Sequence, residues 1–355
     1  TLKDYGLAGE VSASRIEEAL IKHPEAKAVL ITSPNYYGVC SDIEKISEIV
    51  HAHGKILIVD EAHGAHLAFM DKIALSRGDI KNQHSKAQKL AAEASGADIA
   101  ILSTHKTLAS FTQTAILLVC SDRVDVDTIA NNLQILQSSS PSYILMASLD
   151  LNVRIIEESG DALFKEWQDD LDYAYEELRK IQGLELLEME LLDRTKLVLG
   201  LSEIGINGYE LDALLRERGI FCELSDSRFV MAMSGLGSKR KDYELLISAL
   251  NEIAEEARES GRNSASREED EIVLMDELYR HGEISDVPSE TERLVARECE
   301  GKISAQALIP YPPGIPIIVP GERIDSEKIR VLEKLYKDGV SVIGLDENGK
   351  ILCGR

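Results

Sequence analysis

The alternation of short apolar runs with amphipathic helical segments is the feature that most constrains the fold of this chain. Four runs in the first half are rich in Val, Ile, Leu and Ala and have the length of strands buried on both faces. They are Ala28–Thr32, Lys55–Asp60, Ala97–Ser103 and Ala115–Cys120. Helical spacing predicts two helices, Arg15–His23 and Ser41–His53. In the second helix, Ser41 is the predicted N-cap, Glu44 completes a capping box and Gly54 ends the helix. This order predicts an α/β fold with a mostly parallel sheet and helices on both faces.

The rest of the chain indicates a smaller α/β domain and a C-terminal α+β domain. The polar stretch from Phe69 to Gly96 is predicted to be a surface insertion that becomes helical from about Lys86 to Ser95. The later elements alternate again. They are helix Phe164–Ile181, strand Lys196–Leu201, helix Gly208–Arg218, strands Phe221–Leu224 and Arg228–Met233, and helix Lys239–Arg258. With a Gly/Ser-containing linker at Glu259–Asp270, we expect three domains over residues 1–160, 161–260 and 261–355.

The charge of the chain limits its partners. Its 39 basic and 62 acidic residues give a formal charge of −23, whereas a nucleic-acid surface needs clustered Lys and Arg. The negative charge is compatible with a cationic small molecule as the ligand. A role in solubility alone would also explain the charge. No apolar run reaches the ~18 residues of a membrane helix. The five cysteines show no CxxC spacing, so we expect free thiols and a cytoplasmic protein.

Asp60 is the first candidate for a functional residue. It ends the run Lys55–Asp60 and opens the sequence Asp-Glu-Ala-His-Gly-Ala-His. Ligands of open α/β sheets bind beyond the carboxyl ends of the strands, so an acid there can face a site, or it can merely cap the next segment. His63 and His66 have the spacing of a metal pair on a helix, but no third ligand of suitable spacing stands nearby, and we predict no metal site.

Lys106 is the second candidate. It follows the strand pattern Ala97–Ser103, where a lysine is costly unless it is paired or used covalently; a surface lysine at a strand exit is the alternative. Burial lowers the pKa of a lysine, so the free amine needed for Schiff-base chemistry exists near neutral pH. Asp60 and Lys106 together suit pyridoxal 5'-phosphate, which needs a lysine for its aldehyde and a carboxylate for its pyridine nitrogen.

Five segments carry a resemblance to a known family. They read ITSPNYYGVC (Ile31–Cys40), VDEAHGAHLAF (Val59–Phe69), STHKTLASFTQ (Ser103–Gln113), SSSPSYILMASLD (Ser138–Asp150) and PYPPGIPIIVPGE (Pro310–Glu322). In this order they resemble the ornithine/lysine/arginine decarboxylases, which are pyridoxal-phosphate enzymes of the aspartate-aminotransferase fold, also called fold type I. The resemblance spans nearly the whole chain and implies that fold for it.

The resemblance also implies roles for individual residues near the cofactor. Lys106 would hold it as an internal aldimine, and Asp60 would pair with its pyridinium nitrogen. Further residues would contact the cofactor ring or phosphate, or the substrate carboxylate beside them. These are Ala62, His63, Ser103 and His105. After carbon dioxide leaves, Lys106 or His105 would return a proton to Cα.

Two implied roles lie elsewhere in the chain. Ser139, within Ser138–Ser140, would approach the cofactor phosphate of a neighbouring subunit, so a homodimer or larger homo-oligomer is the expected state. Glu322 would receive the cationic end of the substrate side chain.

Two features depart from the family pattern. Nothing before Ile31 matches the family's phosphate-binding turn or its stacking aromatic residue, so we expect the large domain to be incomplete at its N-terminus. The connection from Phe69 to Gly96 is also longer and more polar than the family's.

The implied activity is decarboxylation of lysine, arginine or ornithine to the corresponding amine, with the choice among the three left open. Transamination on the same fold is the enzymatic alternative, although aminotransferases usually need an arginine for the substrate carboxylate. A non-catalytic chain that acts as a scaffold in an oligomer is the alternative of a different class.

Overall fold

The computed structural model describes residues 2, 5, 7–77, 89–262, 281–311, 314–337 and 340–355. The chain divides into a larger unit, Ala8–Ala265, and a smaller unit made of Thr1–Leu7 and Ser266–Arg355. Residues 78–88 of the predicted insertion, with the start of its predicted helix, and residues 263–270 of the predicted linker lie outside the described ranges. Within those ranges, no helix has the length and apolar character needed to cross a membrane.

A four-stranded sheet with its helices forms the first part of the larger unit. The elements are α1 (Ala13–Lys22), β1 (Ala28–Thr32), α2 (Ile43–Ala52), β2 (Ile56–Asp60), α3 (Leu67–Arg77), β3 (Ile99–Leu102), α4 (Thr104–Thr107) and β4 (Ile116–Val119). The strands stand in the order β1-β2-β3-β4; the first three are parallel and β4 runs antiparallel to β3. The predicted mostly parallel sheet is confirmed.

Parallel pairing places three strand ends at one edge of this sheet. Thr32 of β1 pairs with Asp60 of β2, and Asp60 pairs with Ile101 of β3. The segments that follow these strands therefore begin side by side. In an open α/β sheet this edge is where a ligand binds, so the topology alone marks it as the place to look for a site.

The packing of this sheet corrects two predictions. Helices α1 and α2 cover it with a continuous apolar core. Its members include Ile16, Leu20, Ile43, Ile46, Val50, Leu57, Val59 and Ala100. However, β1 is not buried on both faces, because it is an edge strand whose Leu30 is 66% exposed. Asp42, rather than Ser41, caps α2 by accepting the Lys45 N–H at 3.0 Å, while Ser41 Oγ accepts the Val11 N–H.

Long helices and an antiparallel sheet form the second part of the larger unit. The elements are α5 (Val126–Leu136), α6 (Tyr143–Leu178), β5 (Glu185–Leu186), β6 (Lys196–Gly200), α7 (Gly208–Glu217), β7 (Leu224–Ser225), β8 (Phe229–Met233) and α8 (Arg240–Glu259). The strand order is β5-β6-β8-β7. The predicted strand Phe221–Leu224 is displaced to Leu224–Ser225. Helix α6 begins at Tyr143, well before the predicted start at Phe164. The three-domain division stays a prediction.

Helix α3 corrects the predicted surface insertion. The stretch from Phe69 was expected to be a polar surface insertion, but its first part continues a helix in which Leu67, Met70 and Ile73 are buried. The Phe69 ring stacks on Phe164 of α6 with the ring centroids 4.7 Å apart. Of the predicted helix that ends at Ser95, the described part contains a single 3-10 turn, Ala92–Ala94.

The smaller unit has an apolar core of its own and the predicted α+β composition. Its elements are β9 (Thr291–Val295), a 3-10 turn (Ala296–Cys299), β10 (Ile309–Tyr311), α9 (Ser326–Lys337), β11 (Ser341–Ile343) and β12 (Lys350–Gly354). Two antiparallel pairs, β9 with β12 and β10 with β11, accompany the helix. The core includes Cys299, Leu308, Ile317, Ile318, Ile324, Leu332, Ile351 and Cys353.

Glu61 is a buried acid next to the sheet edge. Its side chain accepts the N–H of Ala92 at 3.1 Å. Burial, with a further contribution from neighbouring Glu93, raises the pKa of Glu61 to about 10. Gly64 leaves room for it, because a Cβ on Gly64 would lie 2.5 Å from Glu61 Cγ. At neutral pH Glu61 is therefore an uncharged hydrogen-bonding group.

We predict that Glu61→Gln stabilises the protein at alkaline pH. From the unfolded pKa near 4.3 up to the folded pKa of about 10, the folded state holds a proton that the unfolded state has released, so stability falls as pH rises. Glutamine keeps the hydrogen bond without the proton. The gain should be on the order of 2 kcal/mol at pH 8 and smaller at pH 5, as measured by thermal unfolding. The exposed Glu48→Gln is the control, and parallel pH profiles for Glu61→Gln and the wild type would contradict the prediction.

Candidate active site

Lys106 lies on α4, the four-residue helix that directly follows β3. Buried hydroxyls hold this helix. Thr104 Oγ1 lies 3.1 Å from Thr114 Oγ1 and accepts from Ser110 Oγ at 2.7 Å. After the helix, the Ala109 N–H donates to Asn152 Oδ1 at 2.9 Å. These bonds fix the backbone on both sides of Lys106 and so determine where its amine can lie.

The Lys106 amine contacts the imidazole of His63. Lys106 Nζ and His63 Nε2 are 2.9 Å apart. His63 belongs to the turn after β2 and is buried. The ring of Tyr36, from the segment after β1, meets the imidazole edge-on with the ring centroids 4.9 Å apart. An amine, an imidazole and a phenol ring, each from a different strand end, thus form one continuous group.

Burial determines the charge of both partners. It lowers the pKa of Lys106 below its ordinary value, while the negative charges of Asp60 and Glu223 partly oppose the shift. Burial likewise lowers the pKa of His63 to about 3, and the positive charges of Lys196 and Lys106 add to the effect. His63 is therefore neutral at physiological pH, so its Nε2 can accept a hydrogen bond from the Lys106 ammonium or donate one to the free amine.

Asp60 ends β2, and the Ala62 N–H donates to its Oδ1 at 3.1 Å. The carboxylate caps the turn that carries His63 and also attracts Lys106. The sequence offered two alternative roles for Asp60, capping the next segment or facing a site. The structure shows that one side chain can serve both.

His105 and Ser103 make contacts of a different kind. His105 Nδ1 donates to the backbone oxygen of Thr114 at 2.8 Å; because a carbonyl only accepts, Nδ1 carries a hydrogen. Ser103 precedes α4 and is half-buried, and its carbonyl accepts the Lys106 N–H at 3.2 Å. The structure thus brings Lys106, His63, Asp60 and Ala62 together and directs His105 toward Thr114. The cofactor contacts of all these residues stay predictions.

The segment after β1 connects the two sheets of the larger unit. Asn35 Oδ1 accepts the N–H groups of Tyr37 and Val39, each at 3.0 Å, and Ser33-Pro34 is a cis peptide. From this loop the Tyr36 hydroxyl donates to Glu223 Oε1 at 2.7 Å, and the Tyr37 hydroxyl donates to Asp226 Oδ2 at 2.9 Å. Two adjacent tyrosines therefore fix the site loop to residues beside β7.

A buried charged group lies behind His63. His66 Nε2 is 3.0 Å from Asp193 Oδ1, and Lys196 Nζ is 3.7 Å from Asp193 Oδ2. All three side chains are buried. Burial lowers the pKa of Lys196, whereas Asp193 opposes that shift. His66 is thus engaged by a carboxylate, and the described part of the chain contains no group of three His, Cys, Asp or Glu side chains placed to hold a metal.

The residues at this edge fit a pyridoxal-phosphate cofactor. The site offers an amine whose pKa is lowered and a carboxylate that attracts it. Within the described residues, nine buried side-chain polar atoms lack a hydrogen-bond partner, and two of them, His63 Nδ1 and Thr107 Oγ1, belong to the residue in contact with Lys106 and to its neighbour in the chain. Buried polar atoms are rarely unpaired in folded proteins, so their presence beside Lys106 is consistent with a polar ligand.

Ser139 lies between α5 and α6 and is exposed. The residues on either side of it include large apolar side chains in contact with solvent. Leu136 is 83% exposed and Tyr143 is 84% exposed. The approach of Ser139 to a neighbouring subunit and its contact with a cofactor stay predictions.

Glu322 lies in the smaller unit and is buried. Its Oε1 accepts from the Gly282 N–H at 2.8 Å and from Lys328 Nζ, and its Oε2 accepts from the Val319 N–H and His281 Nδ1, each at 3.0 Å. Burial opposes ionisation, but Lys328 and the other donors lower the pKa of Glu322 below its ordinary value. Four donors on two oxygens give this carboxylate a structural role, and its predicted contact with substrate stays a prediction.

Sequence reasoning missed Tyr36, Glu223 and the group formed by Asp193 and Lys196. Tyr36 lies within the segment Ile31–Cys40 that carries the resemblance, but an aromatic residue after a strand has no distinctive spacing. Glu223 and Lys196 are far from Lys106 in the chain, and only the packing of the second sheet brings their charges close to it.

The fold is that of pyridoxal-phosphate enzymes of the aspartate-aminotransferase type. Lysine decarboxylase A from Pseudomonas aeruginosa superimposes with a TM-score of 0.75 and 22% identity, over 99% of this chain and 62% of that one. The constitutive lysine decarboxylase of E. coli gives a TM-score of 0.72 at 17% identity, over 96% of this chain and 60% of that one. The alanine–glyoxylate aminotransferase from Nostoc gives a TM-score of 0.51 at 19% identity, over 68% of this chain and 64% of that one. The predicted fold class is confirmed.

The chain belongs to the Orn/Lys/Arg decarboxylase family. Residues 3–199 match the family's major domain, and residues 269–338 match its C-terminal domain. The arginine decarboxylase of Bacillus subtilis is 31% identical over 97% of this chain and 69% of its own length. The arginine decarboxylase of Halalkalibacterium halodurans is 30% identical over 97% of this chain and 68% of its own length. The chain therefore spans about two thirds of these relatives, and 62% and 60% of the solved lysine decarboxylases.

We predict that Lys328→Met destabilises the smaller unit by about 3 kcal/mol, because it leaves the buried Glu322 carboxylate without its cationic partner. Calorimetric unfolding measures the loss. Lys334→Met, at an exposed position of the same helix, should change stability by less than about 0.5 kcal/mol. Adding Glu322→Gln to Lys328→Met should recover part of the loss, because it removes the unpaired buried charge and keeps an acceptor for the other donors. A Lys328→Met protein as stable as the wild type would show that Glu322 is not held by this ion pair.

Proposed function

We propose that this chain carries out pyridoxal-phosphate-dependent decarboxylation of a basic amino acid. The observation that supports it most directly is the Lys106 amine, held 2.9 Å from a neutral imidazole at the edge where Asp60 also lies. The family and the names of the relatives, arginine and lysine decarboxylases, support the reaction class. The cofactor, the substrate and the activity of the chain are proposals.

The proposal assigns each residue a task toward the cofactor. Lys106 would bind its aldehyde, Asp60 would face its pyridine nitrogen, and His63 and Ala62 would lie beside its ring. When bound, pyridoxal phosphate supplies an electron-accepting ring for the electrons of the broken Cα–carboxylate bond. A negative Asp60 favours a proton on the ring nitrogen, since a nearby opposite charge favours the charged form of a base.

The proton chemistry falls to Lys106, with His63 orienting its amine. The lowered pKa of Lys106 increases the share of free amine, which is the form that attacks an aldehyde. His63 stays neutral because its pKa is about 3, so it does not take up the proton itself, and its Nε2 orients the amine through their hydrogen bond. Lys106 is then placed to return a proton to Cα of the product. His105, whose Nδ1 is engaged by Thr114, is the less direct candidate.

Transamination and a non-catalytic role are the competing functions. Transamination would use the same lysine and carboxylate but would yield a keto acid instead of carbon dioxide and an amine. An inert scaffold would bind no cofactor. Product analysis with lysine, arginine and ornithine distinguishes all three functions and identifies the substrate.

We predict that Lys106→Ala abolishes both turnover and the cofactor's long-wavelength absorbance. The wild-type chain incubated with pyridoxal phosphate should show that absorbance, and the variant should lose at least a thousandfold in turnover, because no other amine takes the place of Lys106. Lys45→Ala, at an exposed position on α2, is the control. Carbon dioxide release by the Lys106→Ala protein at the wild-type rate would rule out the assignment.

We further infer that a second copy of the chain covers the apolar surface around Ser139. Ile135 and Leu136 at the end of α5 and Tyr143 at the start of α6 are each at least 80% exposed. Large apolar side chains this exposed within a short stretch of chain often mark an interface. A partner seated here would also approach Ser139, as the sequence predicts for a cofactor site shared between subunits.

We predict that Leu136→Asp combined with Tyr143→Asp shifts the protein to monomers, because each carboxylate would lose its water in an apolar interface. Sedimentation velocity measures the mass. Leu245→Asp, at an exposed apolar position on α8, should leave the mass unchanged. A wild-type chain that sediments as a monomer at micromolar concentration would contradict the inference.

A further inference from the structure

A buried contact between His66 and Asp193 lies directly behind the candidate active site. His66 Nε2 is 3.0 Å from Asp193 Oδ1, and the two side chains are 0% and 1% exposed. His66 follows His63 in the same turn and immediately precedes α3, whereas Asp193 lies shortly before β6 of the second sheet. The contact therefore joins the turn that carries His63 to a sheet that is distant in the chain.

Asp193 also contacts the segment that follows β1. Its N–H donates to the Gly38 carbonyl at 2.8 Å. A side chain at Gly38 would not fit, because its Cβ would lie 2.8 Å from the backbone oxygen of Asp193. The Thr195 N–H and hydroxyl hold the carboxylate itself, at 3.0 and 2.7 Å from Oδ1. One residue thus contacts both segments that bring Tyr36 and His63 to the site.

The donor in the contact is His66. Burial opposes ionisation of Asp193, but the charges of His66 and Lys196 lower its pKa below the ordinary value. Because a carboxylate only accepts, the hydrogen is on His66 Nε2. The Trp167 ring closes the opposite side of the imidazole, with the ring centroids 5.2 Å apart. His66 is therefore held between a fixed acceptor and a buried indole.

The contact belongs to a group of polar side chains that stability alone does not explain. Lys196 Nζ lies 3.7 Å from Asp193 Oδ2 in the same buried place. Of the nine buried side-chain polar atoms without a hydrogen-bond partner in the described ranges, four belong to this group and its neighbour; these are His63 Nδ1, His66 Nδ1, Asp193 Oδ2 and Lys196 Nζ. Apolar residues of similar volume often stabilise a fold as well as a buried ion pair does. The group therefore points to a task in the site.

The same group determines the charge of His63. Burial is the largest cause of its lowered pKa, followed by the positive charges of Lys196 and Lys106, with a smaller contribution from His66. Asp193 acts in the opposite direction. His63 thus stays neutral as long as its turn remains buried against the second sheet.

We propose that His66 and Asp193 are positioning residues of the active site, and that their contact holds the turn after β2 so that His63 stays buried against the Lys106 amine. Neither residue touches the reacting atoms; both act through His63, whose Nε2 lies 2.9 Å from Lys106 Nζ. The proposal deepens the proposed function and rests on it for the task of Lys106.

Two amide substitutions of His66 differ in where they place a donor. The side-chain nitrogen of glutamine reaches the position of Nε2 and can donate to Asp193. The nitrogen of the shorter asparagine reaches only the position of Nδ1, which has no partner. We expect His66→Gln to keep the turn in place and His66→Asn to release it. Asp170→Asn, which breaks an ion pair with Arg240 elsewhere in the larger unit, is the control for lost stability.

The first test needs neither cofactor nor turnover. Hydrogen–deuterium exchange at the imidazole C2 carbon, followed by mass spectrometry over a range of pH, measures the pKa and exchange rate of each histidine. In the cofactor-free chain, His66→Asn should raise the pKa of His63 from about 3 towards its ordinary value, because burial is lost. His66→Gln and Asp170→Asn should leave it unchanged. A wild-type pKa of His63 in His66→Asn, or a raised one in His66→Gln, would overturn the proposal.

The wild-type chain provides a test that does not depend on the folding of a variant. If His66→Asn unfolds, His51 in α2 will exchange faster as well, and the wild type in increasing urea then decides. His63 and His66 should lose protection at the same urea concentration, because one contact holds both in a single opening unit. Opening of His63 while His66 stays protected would refute the proposal.

The second test asks whether the effect reaches Lys106 through His63. The affinity for pyridoxal phosphate, measured by the cofactor's long-wavelength absorbance, should fall roughly fivefold in His66→Asn, as for residues coupled in one network. In a His63→Leu background the same substitution should cause no further loss. An equal loss in both backgrounds indicates a merely structural role and contradicts the proposal. If the wild-type chain shows no such absorbance, the proposed function fails, and the exchange of His63 alone decides whether His66 and Asp193 position it.

Discussion

The parallel pairing of β1, β2 and β3 is the constraint on which the site depends. It aligns Thr32, Asp60 and Ile101, so the three segments that follow leave the sheet at one edge. Tyr36 comes from the first segment, His63 from the second and Lys106 from the third. No local feature of any one segment brings these side chains together. The pairing of the strands does so, and it is stabilised by the apolar core beneath α1 and α2 rather than by the site itself.

Burial at that edge then gives the site its chemical character. It lowers the pKa of Lys106 and keeps His63 neutral, so the 2.9 Å contact at the centre of the site joins an amine that holds its proton less tightly than an exposed lysine to an imidazole that does not become charged. The second sheet adds the surrounding charges, Glu223 at the exposed side and Lys196 with Asp193 at the buried side. The two adjacent tyrosines hold the sheets in this relation, so the electrostatics of the site and the packing of the larger unit depend on the same loop.

Much of the secondary structure could be predicted from the sequence, and the failures have identifiable causes. The strands β2, β3 and β6 and the helices α7 and α8 lie close to their predicted positions, because each has an unambiguous apolar period. Helix α3 was missed because its apolar residues give way to a polar stretch within a few positions, and the packing of Phe69 on Phe164 could not be foreseen. Ser41 was predicted to be the cap, but the adjacent Asp42 is an equally good capping residue, and only the folded backbone shows which one accepts the Lys45 N–H.

The sequence by itself determined the two residues whose chemistry is least ambiguous. An acid and a lysine at the ends of apolar strands are costly placements, so Asp60 and Lys106 stand out without any coordinates. The tertiary structure decided the rest, because contact and desolvation depend on residues far apart in the chain. It gave Glu322 four donors, paired Lys106 with His63, and brought Glu223 from the second sheet to Tyr36. A carboxylate looks the same in sequence whether it holds a turn together or faces a ligand; its neighbours in the folded chain make the difference.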